Sequence, residues 1–463
     1  MLANAFNQAR AGQTRTELAR LREEIRLWLE HRTKQDAHQQ YVTVLQLLNH
    51  LFRTTLDEIE SAAGKLDAME EAALWNEARR LDRALVWVRR VLDYFRRRFD
   101  QRDQPSMQKL LAAADEVVWS CYVEPFRALG RKHQAVPLPY IEDRFSPTAI
   151  PRDDPPPDLQ SDVDADFLAR FLAELPVAVI GLPPTSLEHP WWLVYLAHET
   201  GHQVQYDLVT DPKWGLVGAF GQRVSETAEQ TIDAAAGTRW IQWGKELFAD
   251  LFSVLTVGPA ALWGILELEY ADTAGLLRSK TSYPSPVIRL SVMARMLAKL
   301  EVDPRVGLRG LDFEKMIARD PQAAGDLKIA GALVKRLAAE PLVDDKTLPE
   351  LCGWPTSSFA ADGAVYEWRD KLVGTDPPYP ETDVTAARLG TAGAVLAWTK
   401  ICEDDVEPNQ REEARKLLRR MTLDTIPRCR EEGTREAPPQ PASEAAAVEC
   451  GKQLASLVLE ARR

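Results

Sequence analysis

The residues of this chain best suited to chemistry are two histidines spaced four apart, with a glutamate directly after the first. They lie in the sequence His198-Glu199-Thr200-Gly201-His202, which follows the apolar run WWLVYLA. On a helix, residues i and i+4 share a face, so both imidazoles can reach one ion while Glu199 projects beside them. Neutral imidazole is a good zinc ligand, and this spacing therefore predicts a zinc site. The alternative is a pair of histidines that caps a core helix.

A third protein ligand has to be a carboxylate, because no histidine follows His202. This excludes the motif class in which a third histidine completes the site. We favour Glu246, which stands four residues before Asp250 in GKELFADLFSVL, a segment otherwise suited to burial. A buried carboxylate is costly unless it binds a metal or a ligand imidazole, and these two could do one each. The alternatives are a solvated face carrying Glu246, or one of the other downstream acids: Glu226, Glu229, Asp233, Asp250, Glu267 and Glu269.

Together these motifs resemble the gluzincin zinc metallopeptidases, most closely the family that contains the CaaX prenyl proteases and the bacterial heat-shock membrane proteases. That family has H-E-x-x-H, then E-x-x-A-D, then H-P-x-x-x-x-R-[IL]. The matching segments in this chain are HETGH, ELFAD and YPSPVIRL, and the resemblance covers about residues 176–295. The chain departs from the family in having tyrosine where the last motif has histidine, and in lacking transmembrane helices.

The resemblance implies a role for each matching residue of the first two motifs. His198, His202 and Glu246 would ligate the zinc ion, and Glu199 would act as general base. Asp250 would orient a ligand histidine from behind the metal. The activity implied is hydrolysis of a peptide bond by zinc-activated water.

The last motif adds Tyr283 and Arg289 as catalytic candidates. Its Tyr-Pro-Ser-Pro segment cannot be regular helix, since the residue before each proline is pushed toward extended geometry. A stiff loop of this kind can hold the Tyr283 hydroxyl above a metal, where it would donate to a developing oxyanion. Arg289 would brace the loop or bind substrate carbonyls. The alternative is that Tyr283 packs in the core and Arg289 pairs with a surface acid.

The composition limits the classes of function. The 463 residues carry a net charge of −12, and residues 151–463 hold 34 basic and 48 acidic side chains, which argues against nucleic acid as their main partner. The longest uncharged stretch, 251–266, contains a Gly-Pro pair and is shorter than the ~20 residues that cross a bilayer. With five scattered cysteines and no apolar N-terminal signal, the chain is expected to be cytoplasmic, without a membrane span.

The patterning predicts a mainly α fold with a small β element. A helical bundle or hairpin is expected over 1–135, where it could bind a protein partner, followed by a proline-rich linker over 136–166. A zincin-like catalytic core is expected over 167–301, with a strand at 177–182 whose free edge could receive an extended peptide. Residues 302–463 are expected to be mainly helical with proline-rich loops.

We therefore predict a zinc-dependent metallopeptidase that acts on a peptide or protein substrate. Two alternatives stay open. The first is a zinc hydrolase with a non-peptide substrate, because the motif specifies water activation but not the bond attacked. The second is a regulatory or interaction protein built on the N-terminal helices, with a structural or degenerate metal site. The presence of Glu199 argues against the second, since its loss would be the simplest way to disable such a site.

Overall fold

The computed structural model is mainly helical with a small sheet, which confirms the expected fold class. It describes residues 2–34, 41–133, 135–150, 178–208, 215–270, 272–308, 316, 321–354, 356–360, 362–374, 382–431 and 441–460. The chain forms two compact units. The first consists of Met1–Arg102, Ile150–Val179 and Gly433–Arg463, and the second of Asp103–Ala149 and Ile180–Glu432.

The helices of the described residues follow one another along the whole chain. In order they are α1 (Leu2–Thr33), α2 (Val42–Ala63), α3 (Glu71–Asp100), α4 (Pro105–Ala128), α5 (Tyr195–Asp207), α6 (Gly215–Thr231), α7 (Ala234–Gln242), α8 (Gly244–Val257) and α9 (Ala260–Glu269). They continue with α10 (Thr273–Leu277), α11 (Pro286–Lys299), α12 (Arg305–Leu308), α13 (Pro321–Ala339), α14 (Leu348–Leu351), α15 (Ala364–Leu372), α16 (Ala386–Glu403), α17 (Pro408–Thr425) and α18 (Pro441–Glu460). Within these residues, none of the helices has the length and apolar surface that crossing a bilayer requires.

In the first unit, α1, α2 and α3 form a helical bundle that α18 joins. Helix α18 approaches α2 closely at Gly451, where an added Cβ would lie 2.8 Å from the Leu51 carbonyl oxygen. Helix α3 carries two basic clusters, Arg89-Arg90 and Arg96-Arg97-Arg98. One arginine of each cluster forms an ion pair with a neighbouring helix of the bundle. Arg89 and Arg96 both pair with Glu24 of α1, at 3.0 and 2.8 Å. These arginines therefore tie two helices together, in addition to solvating a helix face.

In the second unit, α5 packs against α8, and α8 packs against α11. Every residue of α8 from Glu246 to Val257 is buried, which explains why this segment is apolar on all sides. The helix ends at Gly258, whose φ of +61° is readily adopted only by glycine, and α9 begins two residues later. The uncharged stretch 251–266 is thus the end of one buried helix and the start of another.

The small sheet is built from β1 (Leu138–Ile141), β2 (Thr148–Ile150) and β3 (Val179–Leu182), in the order β1-β3-β2. The strand predicted at 177–182 is therefore present over the described residues 179–182. The prediction that it offers a free edge is wrong, because β3 is central and all four of its residues are buried. Both covering strands come from the proline-rich segment that was expected to be a linker. Proline is tolerated in such edge strands, which lack a ladder partner on one side.

Candidate metal centre

The histidine motif lies on α5, as its spacing predicts. The chain enters this helix through a 3₁₀ turn at Pro190–Val194, and α-helical geometry starts at Tyr195. The Tyr195 hydroxyl donates to the Gly264 carbonyl at 2.9 Å, which anchors the helix to α9. The rings of His198 and His202 face one another with centroids 4.8 Å apart. The two imidazoles are therefore presented together on one face.

Close packing of α8 on α5 depends on Gly201, in the middle of the histidine motif. A Cβ at this position would lie only 3.1 Å from the Ala249 Cα and the Phe252 Cβ. One turn later, Gln205 Nε2 donates to the Lys245 carbonyl at 3.0 Å. The sequence patterns gave no role to Gly201, although a mid-helix glycine costs about 1 kcal/mol and so signals a need for space. The close approach brings the acidic residues of α8 to the histidines.

Glu246 is the carboxylate that meets both histidines. Its Oε2 lies 3.5 Å from His198 Nε2, and its Oε1 lies 3.6 Å from His202 Nε2. Ligands of a tetrahedral zinc ion, each ~2.0–2.2 Å from the metal, are about 3.4 Å apart. The three side chains could therefore hold a metal ion. No other group of three metal-ligating side chains in the described part of the chain brings its ligand atoms within such reach.

The other acids considered as third ligands lie outside this group. Glu226 instead pairs with Arg336 at 3.1 Å, and Asp233 accepts from the Ala236 amide at 2.8 Å to cap α7. Glu269 lies 3.8 Å from Arg289. Residue type alone does not show which of these acids contacts the histidines.

Asp250 lies behind the first histidine, with its Oδ1 3.1 Å from His198 Nδ1. Its side chain is completely buried. Arg289 donates two hydrogen bonds to it, from Nε to Oδ2 at 2.8 Å and from Nη2 to Oδ1 at 2.7 Å. Burial favours the neutral acid, but the guanidinium outweighs it and lowers the pKa of Asp250 well below its usual range. An ionised Asp250 is suited to orient His198 with Nε2 toward a metal.

Arg289 itself is buried, and its guanidinium faces acids in the interior. Besides the two bonds to Asp250, Nη2 lies 3.8 Å from Oε2 of Glu246. The structure thus places Arg289 behind the ligands, where it is the countercharge that two buried carboxylates need. Its guanidinium is therefore directed at Asp250 and Glu246.

The two histidines differ in their affinity for protons. Burial disfavours charge at His198, but Asp250 and Glu246 more than compensate and raise its pKa to about 10. At His202, burial dominates over the attraction of Glu246 and lowers the pKa to about 4. His202 therefore offers a free lone pair at neutral pH, whereas metal binding at His198 has to displace a proton.

Tyr283 lies at the mouth of the site, and 44% of its surface is exposed. It closes a turn in which the Lys280 amide donates to the Tyr283 carbonyl at 2.9 Å. Trp243 Nε1, directly before α8, donates to the Lys280 carbonyl at 3.3 Å. The negative charge of Glu246, with burial and Glu199 adding to it, raises the pKa of Tyr283 to about 12. The phenol therefore faces the carboxylates of the site. The turn that carries it accepts a hydrogen bond from Trp243, a residue to which the sequence patterns gave no role.

Glu199 is buried next to the ligand group, with 8% of its surface exposed. Its charge contributes to raising the pKa of both His198 and Tyr283. The structure thus brings together the seven residues that the sequence motifs predicted for the site. They are His198, Glu199, His202, Glu246, Asp250, Tyr283 and Arg289.

No family model, curated protein or solved structure matches this chain.

Proposed function

We propose that the chain is a zinc-dependent hydrolase that cleaves peptide bonds. The observation that carries the proposal is the convergence of His198, His202 and Glu246 on one point, with a further buried glutamate beside them. Two histidines and one carboxylate are the donor set of catalytic zinc sites, which keep a position open for water or substrate. When bound, zinc would lower the pKa of a water molecule toward ~7 and polarise a carbonyl group.

The proton transfers fall to Glu199. Its carboxylate is outside the ligand group but on the same helix, one residue after His198. In this role it takes a proton from the attacking water and passes it to the leaving amine.

The peptide bond is proposed as the substrate because HETGH and ELFAD resemble the corresponding motifs of gluzincin peptidases. Two contacts in the structure support that likeness. Glu246 meets the histidines, and Asp250 backs His198, as the resemblance implies. A peptide carbonyl under attack develops negative charge on oxygen, and the half-exposed Tyr283 offers a hydroxyl donor for it.

Tyr283→Phe tests this oxyanion role by removing only the hydroxyl. We expect kcat to fall by roughly 10²–10³-fold with KM little changed, because the bond is made mainly in the transition state. Steady-state kinetics on a peptide substrate would measure both. Tyr270→Phe, at another exposed tyrosine of the second unit, is the matched control and should leave kcat unaltered. An equal kcat in the two variants would remove Tyr283 from the mechanism.

The metal assignment is tested by metal analysis of the purified protein. We expect about one zinc per chain, lost on chelation together with peptide hydrolysis and restored by added zinc. Glu246→Gln should weaken zinc binding, because it removes one of three protein ligands. Glu226→Gln should retain zinc, since that carboxylate pairs with Arg336. Full zinc retention in Glu246→Gln would contradict the ligand set, and hydrolysis of only non-peptide bonds would contradict the substrate class.

A further inference from the structure

We propose that the turn carrying Tyr283 recognises a carboxylate of the substrate through Lys280. The preferred peptides would carry an acidic side chain, or a free C-terminal carboxylate, close to the scissile bond. The inference rests on the proposed function and deepens it, because it names the substrate class of the same site.

The position of Lys280 is held firmly relative to the metal ligands. Its amide donates to the Tyr283 carbonyl at 2.9 Å, and the Tyr283 amide returns a longer bond to Lys280 at 3.4 Å. The Lys280 carbonyl also accepts a hydrogen bond at 3.3 Å from the indole of Trp243, which is 2% exposed. Trp243 stands three residues before Glu246. The turn is therefore pre-organised on the helix that supplies the third ligand, which reduces the entropy lost when it binds a ligand.

The Lys280 ammonium is within a short peptide's reach of the reacting groups. Its Nζ lies 5.8 Å from the centre of the Tyr283 ring. That ring carries the hydroxyl that faces Glu246 and Glu199. An extended residue spans about 3.3 Å, so the separation is less than two residues of substrate. An acidic group bound by Lys280 would accordingly lie within a few residues of the bond cleaved, because the hydroxyl extends beyond the centre of the ring.

Lys280 has no carboxylate partner in the described part of the chain. It is exposed and forms no ion pair there. Lysines elsewhere in the second unit do pair, such as Lys109 with Asp424 at 2.6 Å and Lys416 with Glu413 at 3.0 Å.

The charge balance around Lys280 favours an anionic ligand. Residues 151–463 hold 34 basic and 48 acidic side chains, so an acidic peptide would be repelled by most of this surface. The exposed Lys280, whose ammonium lies 5.8 Å from the centre of the Tyr283 ring, creates a local region of opposite sign, which attracts such a peptide and orients it. Either a glutamate side chain or a terminal carboxylate supplies the matching group.

The test uses the zinc-loaded full chain and a library of N-acetylated, C-amidated peptides with Glu or Gln at each position near the cleaved bond. We expect Glu to raise kcat/KM about five-fold over Gln at one position, the size of an exposed ion pair. Lys280→Gln should remove this preference, and Lys280→Glu should reverse it. Lys299→Gln, at an exposed lysine of α11, is the control and should keep the preference. Added salt should weaken it by screening.

Two further arms separate the sources and the hypotheses. Peptides with a free C-terminus are compared with their amides to learn whether the bound group is the terminal carboxylate. Faster cleavage of the free acids would also support the proposal, provided that Lys280→Gln abolishes the difference. Glutamyl and glutaminyl dipeptide hydroxamates serve as binding probes, because they bind through zinc and their binding is measured without turnover. Tighter binding of the glutamyl probe, without cleavage of any peptide, would support recognition and contradict peptide hydrolysis. Cleavage and probe binding that ignore substrate charge would overturn recognition and leave the hydrolase intact.

Discussion

Replacing Glu199 with glutamine is expected to abolish hydrolysis while leaving the zinc in place. The substitution keeps the size of the side chain but removes its ability to accept a proton from water. General-base catalysis by a positioned side chain contributes about 10²–10⁴-fold, so kcat/KM should fall by about a thousand-fold. Zinc binding should persist, because Glu199 is outside the group formed by His198, His202 and Glu246.

The measurement pairs metal content with kcat/KM on the same preparations of parent and variant. Glu229→Gln, at an exposed glutamate of α6, is the control and should match the parent in both. His202→Ala should lose zinc and activity together, which separates a ligand from a base. If Glu199→Gln cleaved its substrate at the parental rate, the proposed proton transfers would be wrong.

Replacing Arg289 with methionine is expected to produce the largest loss of stability among the site variants. Asp250 is completely buried, and two hydrogen bonds from Arg289 stabilise its charge. Removing one partner of a buried pair leaves an uncompensated charge and costs about 3–5 kcal/mol in the free energy of unfolding. Zinc affinity should also fall, by about 10–100-fold, because Asp250 then orients His198 less well.

The control for Arg289 is an exposed ion pair of the same unit. Arg305 pairs with Asp303 at 2.7 Å but is 86% exposed, so Arg305→Met should change the free energy of unfolding by less than about 1 kcal/mol. The double variant Asp250→Leu/Arg289→Met should recover much of the stability, since both charges are gone, yet keep the weakened zinc affinity. Denaturant unfolding and zinc titration measure the two effects. Recovery of zinc affinity in the double variant would contradict a positioning role.

Local patterns in the sequence were sufficient to predict the three side chains that form the metal-ligating group. The four-residue spacing of His198 and His202 puts both on one helix face, because helical geometry depends only on neighbours along the chain. The absence of any later histidine limited the third ligand to a carboxylate. The apolar residues around Glu246 indicated a buried helix, and α8 is indeed buried from that residue to its end.

Contacts between distant segments decided the rest. Which acid meets the histidines depends on the face that α8 turns toward α5, and the small Gly201 allows that approach. The same packing sets Arg289 against Asp250, 39 residues away, although the motif alone suggested contact with the loop or the substrate.

Contacts between distant segments also decided the places of the small sheet and of the C-terminal helix. The β-branched run at 177–182 predicts a strand, but not that β1 and β2 lie on both sides of it. Helix α18 begins at residue 441 and joins the bundle of α1–α3. The sequence by itself determined the residues that can do chemistry and the faces that need burial. Only the tertiary structure decided which buried faces meet, because that choice depends on the packing of the whole chain rather than on any one segment.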